Sequence, residues 1–262
     1  MKSIASRQNP IVARYRAAAR GEAADVVLLD GVHLVAEALA SRVPIHDVAV
    51  ANDAIGRREV DALLRALTDR GIDFVTVSAP VIDALSPVRS SSPIVALAAR
   101  PSSDAARVYR GAAPLVVIAV DVQDPGNVGA MVRVAEAAGA TGVVAAGASA
   151  DPLGWKALRG SMGSGLRLPV SASADVDGVI ADARRRQCRI VATVARGGRS
   201  MFDADYTGRV AILIGGEGPG LPDSVVSAAD ERVTIPMQPP VESLNAAVTA
   251  ALVVYEAWRQ RS

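Results

Sequence analysis

Residues 233–261 constrain the fold of this chain most, because prolines divide them into a strand, a loop and a helix. Residues 233–235 are a β-branched run, and three of the next five residues (236–240) are proline. Proline has no N–H group and disfavours helix in the residue before it, so an irregular loop is predicted here. A helix is predicted to begin near residues 243–245, with backbone N–H groups and the Asn245 amide facing whatever the loop encloses. An ordinary strand–helix corner is the alternative interpretation.

The predicted C-terminal helix is apolar on both of its long faces, which is typical of a helix that is buried all round. One face carries Leu244, Ala247, Val248, Ala251, Leu252 and Tyr255, and the other carries Ala250, Val253, Val254 and Ala257. We expect the second face to be buried against another subunit of a homodimer, because an exposed apolar stripe of this size favours association.

A length of 262 residues, with 50% hydrophobic and 21% charged residues, predicts one large or two modest globular domains. The formal net charge of +1 does not indicate a nucleic-acid protein, although this balance leaves room for a local basic face. Cys188 is the single cysteine, which excludes a disulfide framework and a cysteine-based zinc site. The sequence shows neither an apolar run of about 18 residues nor a signal segment, so a cytoplasmic protein without a membrane span is predicted.

Residues 1–99 are predicted to form a small α/β domain, because short apolar strands alternate there with helical segments. The first 20 residues hold five cations and no acid: Lys2, Arg7, Arg14, Arg16 and Arg20. These cations form either a solvated helix face or a surface that contacts nucleic-acid phosphates. His33 and His46 have no Cys, Asp or Glu at ligand spacing, so no metal site is expected. The polar residues 100–113 are predicted to be a linker.

Residues 114–262 are predicted to form a second α/β domain that opens with the apolar run 115–120, which suits a central parallel strand. A loop is predicted over residues 121–129, followed by a helix from about 130 to 138 and then another strand. Ligands bind such units at the carboxyl edge of the sheet. The candidate residues at that edge are Asn127 and Arg133.

Residues 214–221 (IGGEGPGL) place four glycines around Glu217, directly after another predicted strand. A dinucleotide-binding G-x-G-x-x-G motif would need glycine at position 221, where Leu221 stands. A phosphate-binding P-loop would need lysine directly after Gly220. Neither a dinucleotide-binding enzyme nor an ATPase is therefore predicted, and the loop either binds another ligand or only turns the chain.

Three segments resemble motifs 1, 2 and 3 of the SpoU (TrmH-type) RNA 2′-O-methyltransferases of the SPOUT superfamily. They are 124–129 (DPGNVG) with Arg133, 215–221 (GGEGPGL), and 235–237 (IPM) with 243–245 (SLN). They occur in the family's order, and residues 159–169 resemble the segment between the first two motifs. Residues 4–39, including Asn9-Pro10, resemble the ribosomal-protein-like substrate-binding domain that is fused to many members.

The resemblance implies an α/β protein whose C-terminal domain is a trefoil-knotted SPOUT methyltransferase domain with a parallel sheet, an exception to the rule that chains avoid knots. It implies a homodimer, an RNA substrate and S-adenosylmethionine, whose adenine and methionine parts are held by backbone groups. The implied cofactor-binding positions are Thr193, Val194, Gly215, Gly216, Gly218, Ile235, Met237 and Leu244.

The resemblance also makes Arg133 the central catalytic residue, which positions an RNA phosphate or assists deprotonation of the 2′-hydroxyl. A guanidinium stays protonated in water, so phosphate clamping is the less demanding role. An ion pair with Glu136 or another acid is the alternative. Asn127, Glu217 and Asn245 are implied to shape the hydroxyl and ribose site. Methyl transfer from a sulfonium needs an aligned acceptor hydroxyl and no metal ion.

Three positions depart from the family pattern in ways that concern substrate geometry and rate more than the fold. Gly216 stands where motif 2 usually has Asn, while Pro239 and Ala247 stand where motif 3 commonly has Gly and Ser. The predicted function is an S-adenosylmethionine-dependent RNA 2′-O-ribose methyltransferase acting on ribosomal RNA, with an antibiotic-resistance methylase as a sub-case. The first domain is then expected to select the RNA. A catalytically weak, knotted RNA-binding or ribosome-assembly factor is the alternative.

Overall fold

The chain folds into two units, each built around its own β-sheet. The structure, a computed structural model, describes residues 3–88 and 90–262, so Lys2 of the predicted basic face lies outside it. Unit 1 comprises the described residues up to Pro101 together with Leu153–Leu166, and unit 2 comprises Ser102–Pro152 and Arg167–Ser262. Residues 153–166, which lie within the predicted second domain, pack with the first unit instead.

Unit 1 contains a mixed sheet. Its strands are β1 (Ser3–Ile4), β2 (Val26–Asp30), β3 (Ile45–Ala51), β4 (Val75–Val77) and β5 (Ile94–Ala99). Its helices are α1 (Pro10–Ala19), α2 (Val32–Ala40), α3 (Arg58–Thr68), α4 (Ala79–Leu85) and α7 (Trp155–Gly160). The strand order is β1-β4-β3-β5-β2, in which β5 runs antiparallel to both of its neighbours. Asn9 caps α1, because its side-chain oxygen accepts a hydrogen bond from the Ile11 N–H over 3.1 Å.

An ion pair ties the segment 153–166 to the rest of unit 1. Arg159 Nη1 lies 3.2 Å from Asp30 Oδ2, at the end of β2. The Asp30 side chain is only 1% exposed, and its other oxygen accepts a hydrogen bond from Ser86 Oγ over 3.1 Å. A carboxylate this deeply buried needs both partners to balance the loss of its hydration.

Unit 2 contains a parallel sheet. Its strands are β6 (Leu115–Val120), β7 (Gly142–Ala146), β8 (Val170–Ser173), β9 (Arg189–Thr193), β10 (Arg199–Ser200), β11 (Val210–Gly215) and β12 (Glu231–Thr234). Its helices are α5 (Ala105–Val108), α6 (Pro125–Ala137), α8 (Val176–Arg185), α9 (Asp223–Ser227) and α10 (Ala246–Arg261). The strand order is β10-β12-β9-β11-β6-β7-β8, and every neighbouring pair is parallel. The predicted α/β fold with a parallel sheet is therefore confirmed, and the trefoil knot stays a prediction.

The region predicted as a linker contains folded structure. Residues 105–108 form α5, and Val108 and Tyr109 are buried in the core of unit 2, at 0% and 4% exposure. This part of the chain thus contributes to the second unit's packing. Among the helices within residues 3–88 and 90–262, none is long and apolar enough to cross a membrane.

The predicted loop over residues 121–129 is wrong, because α6 already begins at Pro125. Asp124 is the N-cap of this helix, and proline is well suited to the first helical position, where its missing N–H needs no partner. The Asp-Pro pair was therefore a helix-start signal rather than a loop signal.

The predicted role of the second face of α10 is also wrong. Its residues are buried inside unit 2 at no more than 1% exposure: Ala250, Val253, Val254 and Ala257. The exposed apolar residues are instead Val248, Leu252, Tyr255 and Trp258, which are between 40% and 49% exposed. Their spacing of three to four residues places them along one side of the helix, which we call the α10 stripe. Helical periodicity identified both faces, but it could not decide which one faces the chain's own core.

Candidate active site

Four adjacent parallel strands of unit 2 end at one edge of the sheet, and predicted site residues follow each of them. β6 leads to Asp121, β9 to Val194, β11 to Gly216 and β12 to Ile235. From β6 the chain passes to β7 and β8 on one side and returns to β9 beyond β11 on the other. The carboxyl ends of strands at such a reversal of order form a crevice that binds ligands in open α/β sheets.

The start of α6 supplies the first polar group of the site. The Asp124 carboxylate accepts a hydrogen bond from the Asn127 backbone N–H over 2.8 Å. This bond satisfies one of the backbone donors at the helix start and holds Asn127 in the first turn. The side-chain amide of Asn127 is left to interact with residues beyond the helix.

The glycine loop after β11 folds back on itself. Gly216 and Gly220 form an antiparallel β-bridge, and Gly218 and Gly220 have φ angles of 91° and 72°. A Cβ atom at Gly216 would lie 2.1 Å from the backbone oxygen of Asp121, and one at Gly215 would lie 2.4 Å from the Gly220 carbonyl carbon. Only glycine fits at both positions without backbone movement. The presence of glycine at position 216, where motif 2 usually has asparagine, thus has a local cause, because the loop passes directly against the backbone of residue 121.

Asn127, Glu217 and Asn245 meet in one hydrogen-bonded group, which we call the motif cluster. Glu217 Oε1 accepts hydrogen bonds from Nδ2 of Asn127, over 2.5 Å, and from Nδ2 of Asn245, over 3.2 Å. Asn245 Nδ2 also donates to Asn127 Oδ1 over 3.1 Å. One residue from each of the three motifs therefore enters the same cluster. Their catalytic roles stay predictions.

Asn245 also begins the C-terminal helix. Its Oδ1 accepts hydrogen bonds from the backbone N–H groups of Ala247 and Val248, over 2.9 and 3.3 Å. Its amide is therefore fully engaged, with the oxygen capping α10 and the nitrogen in the motif cluster. Since α10 packs against α6, the two helices that carry Asn245 and Asn127 are held side by side.

Arg133 lies on α6, six residues beyond Asn127, and its side chain is exposed. Within residues 3–88 and 90–262 it has no hydrogen-bond or ion-pair partner. The alternative pairing with Glu136 is not formed, because that carboxylate accepts two hydrogen bonds of 2.8 Å from Arg167. Arg133 also lies outside the lining of the cavity beside the motif cluster. It is thus an exposed cation that an incoming anion can reach.

A cavity of about 340 Å³ opens between the loops that follow β9, β11 and β12. Every implied cofactor-binding position lines it: Thr193, Val194, Gly215, Gly216, Gly218, Ile235, Met237 and Leu244. Glu217 lines it too, so the cavity adjoins the motif cluster. Its volume lies in the range of small-molecule pockets, about 300–1,000 Å³. The fold thus brings these positions together, while their contacts with a cofactor stay predictions.

Several polar residues of this cavity were not predicted from the sequence, among them Asp223, Arg232 and Thr249. Each stands outside the three motifs, and no local pattern marks it. Arg232 reaches the cavity from β12, whose place next to β9 follows from strand order. Only the tertiary structure therefore identifies it.

Neither the single cysteine nor either histidine lines the cavity. Cys188 is buried in the sheet core, and burial raises the pKa of its thiol above the ordinary value, so it stays protonated at neutral pH. His33 Nε2 lies 3.2 Å from the Met162 carbonyl oxygen, within unit 1. Across the described chain, no group of three or more His, Cys, Asp or Glu side chains is arranged to hold a metal ion.

The predicted basic face in the first 20 residues is partly neutralised. Two of its arginines form ion pairs inside unit 1, which are Arg14 with Asp47 and Arg20 with Glu22. Arg7 and Arg16 donate to backbone carbonyl groups instead and so keep an uncompensated charge. These two exposed arginines are the better candidates for phosphate contacts.

Comparison with known proteins agrees with this architecture. The profile of the SpoU rRNA Methylase family matches residues 114–255. The 23S rRNA (guanosine(2553)-2′-O)-methyltransferase RlmP of Bacillus subtilis is 28% identical over 229 residues, which cover 87% of this chain and 86% of that protein.

Solved structures match nearly the whole chain. The SpoU methyltransferase AviRb from Streptomyces viridochromogenes, in complex with AdoMet, superposes with a TM-score of 0.85 at 28% identity, covering 97% of this chain and 98% of that one. An RNA 2′-O ribose methyltransferase gives a TM-score of 0.82 at 30% identity and covers 99% of both chains. The chain therefore belongs to the SpoU rRNA methylase family.

Proposed function

We propose that this chain is an S-adenosylmethionine-dependent methyltransferase that modifies ribose 2′-hydroxyl groups of RNA, with ribosomal RNA as its substrate. The motif cluster carries the proposal, because three distant motifs supply the side chains of one hydrogen-bonded group beside a ligand-sized cavity. The activity named for RlmP and the AdoMet bound to AviRb support the same chemistry. We place the enzyme in the cytoplasm, together with its RNA.

The residues of the cavity fit S-adenosylmethionine. Gly218 has a left-handed backbone, and no heavy atom lies within 4 Å of the position of its missing Cβ, so a ligand can approach its main chain closely. Ile235, Met237 and Leu244 supply apolar walls. Charged side chains of both signs also line the cavity, as a ligand with ammonium, sulfonium and carboxylate groups requires: Arg196, Glu217, Asp223 and Arg232. When bound, S-adenosylmethionine supplies the activated methyl group.

The chain's own residues would hold the acceptor ribose. The two asparagines of the motif cluster fix one carboxylate oxygen of Glu217, and its Oε2 accepts no hydrogen bond from the described residues. We assign Oε2 to accept the hydrogen bond of the 2′-hydroxyl, to aim the oxygen at the methyl group and to take up the hydroxyl proton as the new oxygen–carbon bond forms. We assign Arg133 to a neighbouring phosphate, because its permanent charge and planar donors match that group. The enzyme thus works by alignment rather than by covalent catalysis.

The enzyme is also proposed to act as a homodimer in which the α10 stripe packs against its counterpart. A stripe with Leu252, Tyr255 and Trp258 at least 40% exposed on one helix favours self-association. In sedimentation equilibrium we expect a dimer at micromolar concentration and a monomer for Leu252→Arg. Ile55→Arg, at an apolar residue that is 44% exposed in unit 1, is the matched control and should stay dimeric. A monomeric unaltered protein would contradict this part of the proposal.

Two measurements test the activity. Calorimetry should show S-adenosylmethionine binding one site per chain, and a labelled methyl group should appear in ribosomal RNA incubated with the protein. RNA binding without cofactor binding would instead support an assembly factor that lacks catalysis.

A further inference from the structure

Arg196 and Glu242 form an ion pair between two loops that border the cavity. The Arg196 Nη2 and Glu242 Oε1 atoms are 3.0 Å apart. Arg196 belongs to the loop after β9, and Glu242 to the loop between β12 and α10. Arg196 lines both the 340 Å³ cavity and an adjoining space of about 580 Å³, whereas Glu242 lines only the second. Arg196 therefore borders the candidate cofactor cavity, and its guanidinium lies against a carboxylate of the neighbouring loop.

The ion pair between Arg196 and Glu242 is weak enough for another anion to replace Glu242. The Arg196 and Glu242 side chains are 74% and 78% exposed, so water screens their attraction and the pair contributes little to folding stability. Neither side chain has another hydrogen-bond or ion-pair partner among the residues described. The loops thus bring a carboxylate to this guanidinium without locking it there.

The charged side chains that line the cavity indicate which group of a ligand Arg196 can bind. Glu217 is an anion and is held in the motif cluster. The carboxylate of an amino-acid ligand would instead be attracted by the cations of the lining, which are Arg196 and Arg232. A guanidinium binds a carboxylate through two parallel hydrogen bonds. Arg196 is the one whose guanidinium already lies against a carboxylate, which shows that its surroundings admit such a group.

We propose that Arg196 recognises the carboxylate in the methionine part of S-adenosylmethionine, and that Glu242 competes with the cofactor for this guanidinium. The inference rests on the proposed function. Arg196 then selects ligands that carry the carboxylate of the amino-acid end, and Glu242 lowers the affinity for the cofactor.

The test is calorimetric titration with S-adenosylmethionine and with decarboxylated S-adenosylmethionine, which differ only in the carboxylate. Arg196→Gln should weaken the first ligand by about tenfold and leave the second unchanged, because only the first forms the charged hydrogen bonds. Glu242→Gln should tighten S-adenosylmethionine by roughly two- to fivefold, since it removes an exposed competing pair. Arg232→Gln is the matched control, which should change the two dissociation constants by the same factor.

Several results would overturn the proposal. Equal weakening of both ligands by Arg196→Gln would make the residue part of the cavity's shape only. A loss confined to the carboxylate-bearing ligand in Arg232→Gln would move recognition to that arginine. Weaker or unchanged cofactor binding in Glu242→Gln would remove the competition. If neither ligand binds the unaltered protein, the proposed function fails as well, whereas binding without discrimination by Arg196 refutes this inference alone.

Discussion

Asn245 donates from Nδ2 to Glu217 Oε1 over 3.2 Å and so joins the start of α10 to the glycine loop 28 residues earlier. The same amide caps the helix through its oxygen. One side chain therefore serves both the stability of the helix and the geometry of the proposed site. These two roles can be separated, because they use different atoms.

Two substitutions at Asn245 separate the cap from the cluster. Asn245→Ala removes both contacts and should destabilise the protein by about 1 kcal/mol while lowering methyl transfer. Asn245→Ser keeps a good helix cap but is too short to reach Glu217, so its stability should stay within about 0.5 kcal/mol of the unaltered protein. Urea unfolding and methyl-transfer rates measure the two effects. Full activity in the serine variant would remove the contact to Glu217 from the mechanism.

Arg133→Ala should abolish methyl transfer without weakening S-adenosylmethionine binding. Arg133 is exposed, lies outside the cavity lining and has no partner in the part of the chain that is described, so stability should change by less than about 0.5 kcal/mol. Arg133→Lys is the control, since lysine keeps the charge but not the two parallel donors, and it should retain partial activity. Turnover by the alanine variant at the normal rate would contradict the assignment.

Gly216→Asn, which restores the usual residue of motif 2, should impair this protein. A Cβ atom there would lie 2.1 Å from the backbone oxygen of Asp121, so the loop must move, at a cost of about 1–3 kcal/mol. We expect lower thermal stability and weaker S-adenosylmethionine binding. Gly208→Asn is the matched control in unit 2, because its missing Cβ faces open space and asparagine tolerates positive φ. Normal binding in the Gly216 variant would show that the loop adapts freely.

Arg159→Ala should destabilise the protein by about 1–3 kcal/mol, because it leaves the buried Asp30 carboxylate with Ser86 as its remaining side-chain partner among the described residues. Asp30→Asn in the same chain should restore part of that loss, since a neutral amide keeps a hydrogen bond to Ser86 without a buried charge. Denaturant unfolding of both single variants and the double variant measures the coupling. Additive effects would mean that the two side chains do not interact.

Secondary-structure elements were predicted correctly where the residue types of the segment itself determine the structure. The run 115–120 became β6 at the same residues, because an entirely apolar segment of that length suits a strand buried on both faces. The start of α6 was missed because Asp-Pro was interpreted as a loop, although both residues favour a helix start. For α10, periodicity showed two apolar faces but not which one the chain itself covers.

The site was predicted from motif resemblance, and its remaining parts depend on tertiary structure. The meeting of Asn127 with Glu217 spans 90 residues and rests on the pairing of β11 with β6. Arg232 lines the cavity only because β12 lies beside β9. The packing of residues 153–166 with unit 1 also depends on long-range contacts. Apolar residues in this segment indicate that it is buried, but they do not indicate which sheet it packs against. Spacing along the chain carries none of this information.

The most direct test of the proposed function is the chemical position of the transferred methyl group. Ribosomal RNA is incubated with the protein and isotopically labelled S-adenosylmethionine, digested to nucleosides and analysed by mass spectrometry, with Arg133→Ala as the inactive control. We expect a labelled 2′-O-methyl nucleoside with the unaltered protein and none with the variant. Label on a base, or equal 2′-O-methylation by both proteins, would contradict it.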